Sequence, residues 1–185
     1  YRNVRWNDIS MIFQEPMSSF SSLHSIGDQI SEALTLHRPE LSEADVLSVC
    51  LGLLEKVGIP SPAMFFKRYP HEFSGGMRQR AMIAMALVCN PKILIADEPT
   101  TALDVTIEAQ ILELLESIKS EFNMSMIYIS HDLAVIGEIS DRILVMYLGR
   151  VVESGLADEV IDNPLHPYTR ALLKSIPKID QPIES

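Results

Sequence analysis

Apolar residues in the first ninety positions form one short continuous run and then recur at helical spacing. The run ISMIFQ at 9–14 is rich in β-forming residues, which predicts a short buried strand. Helices are predicted at 25–36, 42–57 and 76–88, with a proline-bounded connector before the third. The predicted buried face of the second helix consists of apolar residues three or four positions apart, namely Val46, Val49, Leu53 and Val57.

From residue 91 onward, strands and helices alternate along the sequence. Strands are predicted at 92–96, 125–130, 142–148 and 151–153, helices at 104–122 and 133–139, and two further short helices after residue 156. This alternation is typical of α/β proteins with a mainly parallel sheet. Ligands of such sheets bind at the carboxyl ends of the strands, where Gln14, the pair Asp97-Glu98 and His131 are predicted to lie.

The order of these elements divides the chain into four predicted stretches. Residues 1–15 carry the first strand of the sheet, and residues 16–90 form a helical insert. Residues 91–155 return to the sheet, and residues 156–185 form a helical tail.

The composition indicates a globular protein with an excess of acidic residues. Of the 185 residues, 47% are apolar, and 25 acidic against 15 basic residues give a net charge of −10. This charge disfavours a protein whose main role is to bind nucleic acid, although a few backbone N–H groups can still bind a phosphate. Cys50 and Cys89 lack partners at disulfide or zinc spacing and are expected to be buried thiols. The longest apolar run, at 81–89, is too short to span a bilayer.

Two adjacent carboxylates follow the predicted strand at 92–96. Asp97 suits a Mg²⁺ ligand, because Mg²⁺ prefers oxygen ligands and retains several waters. Glu98 suits a general base that activates a water molecule beside a terminal phosphate. Taken alone, the same pair also fits a solvated acidic turn at the end of a strand.

Ser74, Gly75 and Gly76 open the third predicted helix. Glycine lets the backbone approach an anion closely, and the N–H groups of a helix start attract negative charge. An ordinary capped helix after a glycine turn explains these residues equally well. His131 suits a phosphate contact, although a lone histidine is more often structural, and Asp104 also fits an N-cap of the following helix.

The order and spacing of these elements together resemble the ATP-binding cassette (ABC) ATPases. In this resemblance, Gln14 corresponds to the Q-loop glutamine, and FSGGM at 73–77 corresponds to the signature motif. ILIADE corresponds to the Walker B strand with its catalytic glutamate, residues 102–104 to the D-loop, and His131 to the switch histidine. The resemblance covers nearly the whole chain, and several motifs in register make it specific.

The resemblance implies a P-loop NTPase-like α/β fold with a mainly parallel sheet whose N-terminal part is missing, a helical subdomain insert and a short helical C-terminal tail. It implies ATP and Mg²⁺ as ligands and a second ABC ATPase subunit as partner, with ATP held between the two subunits. The implied catalytic residues are Glu98, His131 and Gln14, the metal ligands Asp97 and Gln14, and the nucleotide-binding residues Ser74, Gly75, Gly76, Met77 and Asp104.

Several segments resemble more narrowly the ATPases of bacterial peptide importers. They are QEPMSS after the first strand, Met77 in place of the usual glutamine, the run RQRAMIAMAL and the tail HPYTRALLKSIP. This resemblance implies transmembrane permease subunits, an indirect link to a substrate-binding protein, no nucleic acid, and a peripheral position on the cytoplasmic face of the inner membrane. We expect the insert to meet the permease and to expose Phe65 and Phe66 there.

The phosphate loop of the family, G-x-x-x-x-G-K-[ST], does not occur in the sequence, which begins at Tyr1. We therefore expect the chain to be part of a longer subunit and to be inactive by itself. Two alternatives remain open. A DNA-repair or chromosome-organising ATPase shares the signature motif but fits poorly with the net charge and the tail. A non-catalytic interaction module fits the missing loop but not the intact pair Asp97-Glu98.

Overall fold

The computed structural model of the chain describes residues 4–15, 19–101 and 103–175. The chain divides into an N-terminal unit, Tyr1–Ile129, and a C-terminal unit, Ser130–Ser185. Among the described residues, no helix is both long enough and apolar enough to cross a membrane.

The N-terminal unit begins with a strand, continues as a series of helices and ends as strand, helix and strand, as the sequence predicts. Its elements are β1 (Ile9–Ile12), α1 (Ile26–Thr35), α2 (Glu43–Lys56), α3 (Pro62–Phe65), a 3₁₀ helix (Pro70–Glu72), α4 (Gly75–Leu87), β2 (Ile93–Asp97), α5 (Val105–Glu121) and β3 (Ser125–Ile129). The short helix α3 and the 3₁₀ helix lie in the proline-bounded connector, where segments of three or four residues are too short for periodicity to reveal.

The three strands form a parallel sheet in the order β1-β2-β3, which confirms the predicted mainly parallel sheet. Ser10 and Ile12 of β1 are buried, as are Leu94 and Ala96 of β2. Ile12 pairs with Ala96, and Asp97 pairs with Ile129. The carboxyl ends of all three strands therefore meet at one edge of the sheet.

Helix α2 begins where the sequence predicts, but its buried face is rotated from the predicted one. Ser42 caps the helix, and Asp45 completes a capping box with it. The prediction for Val49 was wrong, since this side chain is 39% exposed. The buried side chains are instead Val46, Cys50, Leu53, Leu54 and the capping residue Val57. Val49 therefore lies at the margin of this face.

Helix α4 is buried from Ala81 to Leu87 and is tied to two other helices by Arg80. The guanidinium of Arg80 donates to the carbonyl oxygen of Val57, at 2.7 Å, and to Oε1 of Gln110 in α5, at 3.0 Å. Gly58 follows Val57 with a φ of +79°, and a Cβ there would lie 2.9 Å from Nη1 of Arg80. Glycine therefore meets both demands at this position, a left-handed backbone and space for the guanidinium.

The connector before α4 packs inward, which corrects the prediction that Phe65 and Phe66 are exposed. Both phenylalanines are half-buried and pack against the core. Phe65 meets Phe73 edge to face, with ring centroids 5.3 Å apart. Phe66 lies over Gly27 of α1, where an added Cβ would fall 2.4 Å from its ring. The exposed large apolar side chains of the connector are Met64 and Tyr69.

Both cysteines are buried and neither forms a disulfide, as expected. Burial raises the pKa of the Cys50 thiol and of the Cys89 thiol. Both sulfurs therefore remain protonated at neutral pH, as is typical of structural cysteines.

The C-terminal unit contains a hairpin and three helices within its described residues. Its elements are α6 (Leu133–Ile139), β4 (Arg142–Tyr147), β5 (Arg150–Leu156), α7 (Ala157–Asp162) and α8 (Pro167–Ser175). The hairpin is antiparallel, and Leu148 and Gly149 at its turn both have positive φ. A small separate core contains Ile143, Val145, Ala157 and Val160.

The tail motif that begins at His166 is held on the hairpin by the carboxylate of Glu153 and by a contact between two tyrosine rings. Glu153 of β5 accepts hydrogen bonds from the backbone N–H groups of Leu165, at 2.7 Å, and His166, at 3.0 Å. The ring of Tyr168 contacts that of Tyr147, with centroids 4.5 Å apart. The HPYT segment thus has a structural role at the start of α8, where a negative charge also stabilises the helix dipole.

Candidate functional site

The site is built from polar residues that follow β1 and β2 at the shared edge of the sheet. Gln14 lies two residues beyond the end of β1, and Glu98 lies one residue beyond β2. The amide Nε2 of Gln14 donates a hydrogen bond to Oε2 of Glu98 at 2.7 Å. Two residues 84 positions apart in the sequence are therefore in direct contact at the edge that the strand pattern indicated.

Glu98 adopts an unusual backbone conformation. Its φ is +43°, in the left-handed region, which costs a non-glycine residue about 1–2 kcal/mol. Its N–H donates to the carbonyl oxygen of Ile129 at 2.9 Å, so the turn is attached to the last residue of β3. The left-handed residue ends the alternation of the strand, so the direction of the Glu98 side chain is set by the turn rather than by the pleat.

Thr101 is a third member of this cluster, and the sequence pattern did not single it out. Its hydroxyl donates to Oε2 of Glu98 at 2.8 Å, and its N–H donates to the carbonyl oxygen of Glu98 at 3.2 Å. A threonine three positions after a carboxylate is a common turn residue, so spacing alone gave no signal of this contact.

Asp97 and Gln14 offer oxygen atoms that suit a Mg²⁺ ion. Asp97 is the last residue of β2 and is half-buried. The Nε2 atom of Gln14 is engaged with Glu98, which leaves its amide oxygen as the atom able to act as a ligand. Mg²⁺ is commonly held by one or two protein oxygens together with phosphates and water. No group of three or more His, Cys, Asp or Glu residues among the described residues is arranged to hold a metal.

The two glycines of the Ser74–Met77 segment have different surroundings. Ser74 caps α4, because its Oγ accepts a hydrogen bond from the N–H of Met77 at 3.3 Å. A Cβ on Gly76 would lie 2.9 Å from Cγ2 of Ile107, so glycine there permits close packing of α4 on α5. A Cβ on Gly75 would meet only Leu103, at 3.9 Å. The capped-helix interpretation therefore accounts for Ser74, and packing accounts for Gly76. Packing does not explain why residue 75 is a glycine.

Asp104 caps the start of α5. Its Oδ1 atom accepts a hydrogen bond from the N–H of Ile107 at 3.0 Å, and the residue is exposed. Ala102, which belongs to the predicted D-loop, lies outside the described residues.

His131 belongs to the C-terminal unit and is exposed. It lies between Ser130, whose Oγ accepts from the N–H of Asp132 at 3.0 Å, and Asp132 itself. Asp132 caps α6 by accepting from the N–H of Ala134 at 2.9 Å. The histidine thus sits in a short turn that its two neighbours stabilise, two residues beyond the end of β3.

Comparison with known families matches both ends of the chain. Residues 3–101 match the ABC transporter family, and residues 152–185 match the C-terminal region of oligopeptide/dipeptide transporters.

Similar proteins carry names related to peptide import. The chain is 55% identical over 183 residues to a Brucella melitensis protein provisionally named a peptide import ATP-binding protein, with 99% of this chain and 54% of that protein covered. It is 52% identical to the oligopeptide transport ATP-binding protein AppD of Bacillus subtilis, covering 100% of this chain and 56% of AppD. It is 51% identical to the glutathione import ATP-binding protein GsiA of Escherichia coli, covering 96% of this chain and 28% of GsiA. The chain thus spans about half the length of the first two relatives and about a quarter of the length of the third.

Solved structures agree with the fold. The protein cbiO1 of Clostridium perfringens, described as part of the ABC transporter complex cbiONQ, superposes with a TM-score of 0.73 at 29% identity, over 85% of this chain and 60% of that one. The cassette MJ0796, in a dimeric post-hydrolysis state bound to ADP and Pi, gives a TM-score of 0.71 at 27% identity, over 82% of this chain and 64% of that one. With more than half of its residues matched, the chain belongs to the ABC transporter family.

Proposed function

We propose that the chain is part of the ATP-binding and ATP-hydrolysing subunit of a bacterial ABC importer for peptides. The observation that carries this proposal is the hydrogen bond of 2.7 Å between Gln14 and Glu98, beside Asp97 at the carboxyl edge of the sheet. The peptide-import names of the relatives and the match of the tail to the oligopeptide/dipeptide transporter region support the peptide substrate.

The geometry supports a division of roles for hydrolysis. Glu98 acts as general base, accepting a proton from the water molecule that attacks the terminal phosphate. Gln14 holds the Glu98 carboxylate through Nε2 and offers its amide oxygen to the metal, and Asp97 supplies a second oxygen. Bound Mg²⁺ supplies charge neutralisation on the phosphates. The similarity to ABC ATPases, rather than the geometry, is the basis for the proposed role of His131 as a phosphate contact or in orienting water.

A second ABC ATPase subunit completes the site in this proposal. Ser74, Gly75, Gly76 and Met77 lie at the start of α4, where N–H groups attract the phosphates of a nucleotide held by the partner. Asp104, at the start of α5, faces the nucleotide as part of the D-loop. The dimeric state and the bound ADP of the similar cassette MJ0796 support this arrangement.

The insert is the proposed contact with the transmembrane permease subunits. Leu23 is 81% exposed, and such a side chain is typical of an interaction surface. Among the described residues of the insert, the exposed large apolar side chains are Leu23, Leu36, Leu47, Val49, Met64 and Tyr69. The subunit then sits peripherally on the cytoplasmic face of the inner membrane, and a substrate-binding protein delivers peptide to the permease. The net charge of −10 supports a role without nucleic acid.

Peptide uptake tests the proposed function. The full-length subunit, reconstituted in vesicles with its permease and binding protein, is expected to drive ATP-dependent accumulation of labelled peptides. DNA is expected to leave ATP turnover unchanged. Turnover that DNA stimulates, without uptake, would instead favour a DNA-repair or chromosome-type ATPase, and nucleotide binding without turnover would favour a non-catalytic module.

The 185 residues by themselves are expected to bind Mg-ATP weakly and not to hydrolyse it. The sequence contains no G-x-x-x-x-G-K-[ST] loop to surround the phosphates, and the adjacent carboxylates of Asp97 and Glu98 repel a polyphosphate. Isothermal titration with Mg-ATP measures this directly, with the full-length subunit as control. A micromolar site of stoichiometry near one in the 185-residue chain would contradict the expectation.

A further inference from the structure

We infer that Thr101 is a positioning residue for Glu98, whose carboxylate it holds in the orientation required for proton transfer. This inference rests on the proposed function, because it assigns a role relative to the general base. It is carried by the hydrogen bond of 2.8 Å from the Thr101 hydroxyl to Oε2 of Glu98.

Two donors converge on the same carboxylate oxygen. Nε2 of Gln14 and Oγ1 of Thr101 both donate to Oε2 of Glu98, at 2.7 and 2.8 Å. A glutamate side chain has several rotatable bonds, and one hydrogen bond leaves the carboxylate free to rotate about that contact. Two donors from different segments of the chain restrict this rotation, so they limit where the second oxygen points.

The two donors differ in how firmly they are attached to Glu98. Gln14 comes from another strand, and its amide is also a candidate metal ligand. Thr101 belongs to the same turn as Glu98, and the turn is closed by the bond from the Thr101 N–H to the Glu98 carbonyl oxygen at 3.2 Å. The position of the Thr101 hydroxyl beside the carboxylate is therefore set within one turn, whereas that of the Gln14 amide depends on a neighbouring strand and on the metal that its oxygen would bind. This makes Thr101 the donor that is tied most directly to the orientation of the base.

Substitution of Thr101 separates this role from a purely structural one. Thr101→Val keeps the shape and the backbone N–H of the turn but removes the hydroxyl donor. Thr101→Ala removes the same donor in a smaller side chain, and Thr101→Ser restores it without the methyl group. Thr100→Val is the matched control, because it makes the same chemical change one residue away, where no side-chain hydrogen bond to Glu98 is found within the described part of the chain.

The experiment measures ATP turnover by the full-length subunit assembled with its permease, together with KM for ATP and the melting temperature. The expected result is a decrease in kcat of about tenfold for Thr101→Val and Thr101→Ala, since small misplacements of a reacting group are costly. KM and melting temperature are expected to stay near their wild-type values. Thr101→Ser and Thr100→Val are expected to keep kcat within about twofold of wild type.

Two results would overturn the inference. One is a kcat within about twofold of wild type in whichever of the valine and alanine variants is folded. The other is a loss that serine does not restore and that is accompanied by a lower melting temperature, as a structural role would give. Glu98→Gln in the same assay separates this failure from failure of the proposed function: if that variant remains active, the proposed base is wrong, whereas if it is inactive, only the role of Thr101 is lost.

Discussion

The substitution Glu98→Gln in the full-length subunit is expected to decrease ATP turnover by about 10²- to 10⁴-fold, the usual contribution of a general base. ATP binding is expected to stay within a few-fold of wild type. An amide has the shape of the carboxylate but cannot accept the proton of the attacking water. Turnover measured beside equilibrium ATP binding distinguishes this loss of chemistry from a loss of affinity.

The structure makes this substitution a mild one for the fold. The amide oxygen of the substituted side chain can still accept hydrogen bonds from Gln14 and Thr101, which now bond to Oε2 of Glu98. The bond from the Glu98 N–H to Ile129 belongs to the backbone and is unaffected. Glu113→Gln, on the exposed side of α5, is the matched control for the loss of one carboxylate. Turnover within a few-fold of wild type in Glu98→Gln would refute the role of Glu98 as general base.

The substitution His131→Ala is expected to decrease ATP turnover by about a hundredfold without lowering the melting temperature. The side chain is exposed, so its removal leaves no cavity in a core. The cap of α6 comes from Asp132, which the substitution does not change. Turnover and thermal unfolding of the same preparation of full-length subunit give both quantities.

A control histidine sharpens the comparison. His37, in the segment after α1, lies outside the candidate site, and His37→Ala is expected to leave turnover near its wild-type value. A structural His131 would give the opposite pattern, in which the melting temperature falls and turnover decreases only in proportion to the unfolded fraction.

Much of the fold was predictable because local rules determine it. The strands at 9–14 and 92–96 and the helix cap at Ser42 follow from apolar runs and a capping residue, and the structure confirms them. The predictions of buried and exposed side chains were wrong where burial depends on which other elements pack against a segment. Periodicity placed Val49 on the buried face of α2, but the packing of other helices determines which flank of that face is covered. Phe65 packs on Phe73, and Phe66 packs over Gly27. The sequence of the ten-residue connector does not by itself predict these contacts.

The candidate site was predictable as a set of residues but not as a set of contacts. Strand ends indicated Gln14 and Glu98, and parallel pairing explains why they meet. The left-handed conformation of Glu98 and the return of Thr101 to its carboxylate depend on the geometry of one turn, which residue spacing does not encode. The roles of these residues, and of Ser74 to Met77, Asp97, Asp104 and His131, stay predictions until the variants are measured.

The attachment of Arg80 has a mechanical consequence for the N-terminal unit. Its guanidinium joins the carbonyl oxygen at the end of α2 to a side chain near the start of α5, while its own backbone lies in the second turn of α4. Directional bonds of this kind transmit displacement more faithfully than side-chain packing, which can slide. A displacement of the end of α2 is therefore expected to move α4 and α5 together, including the helix starts that carry Ser74 and Asp104.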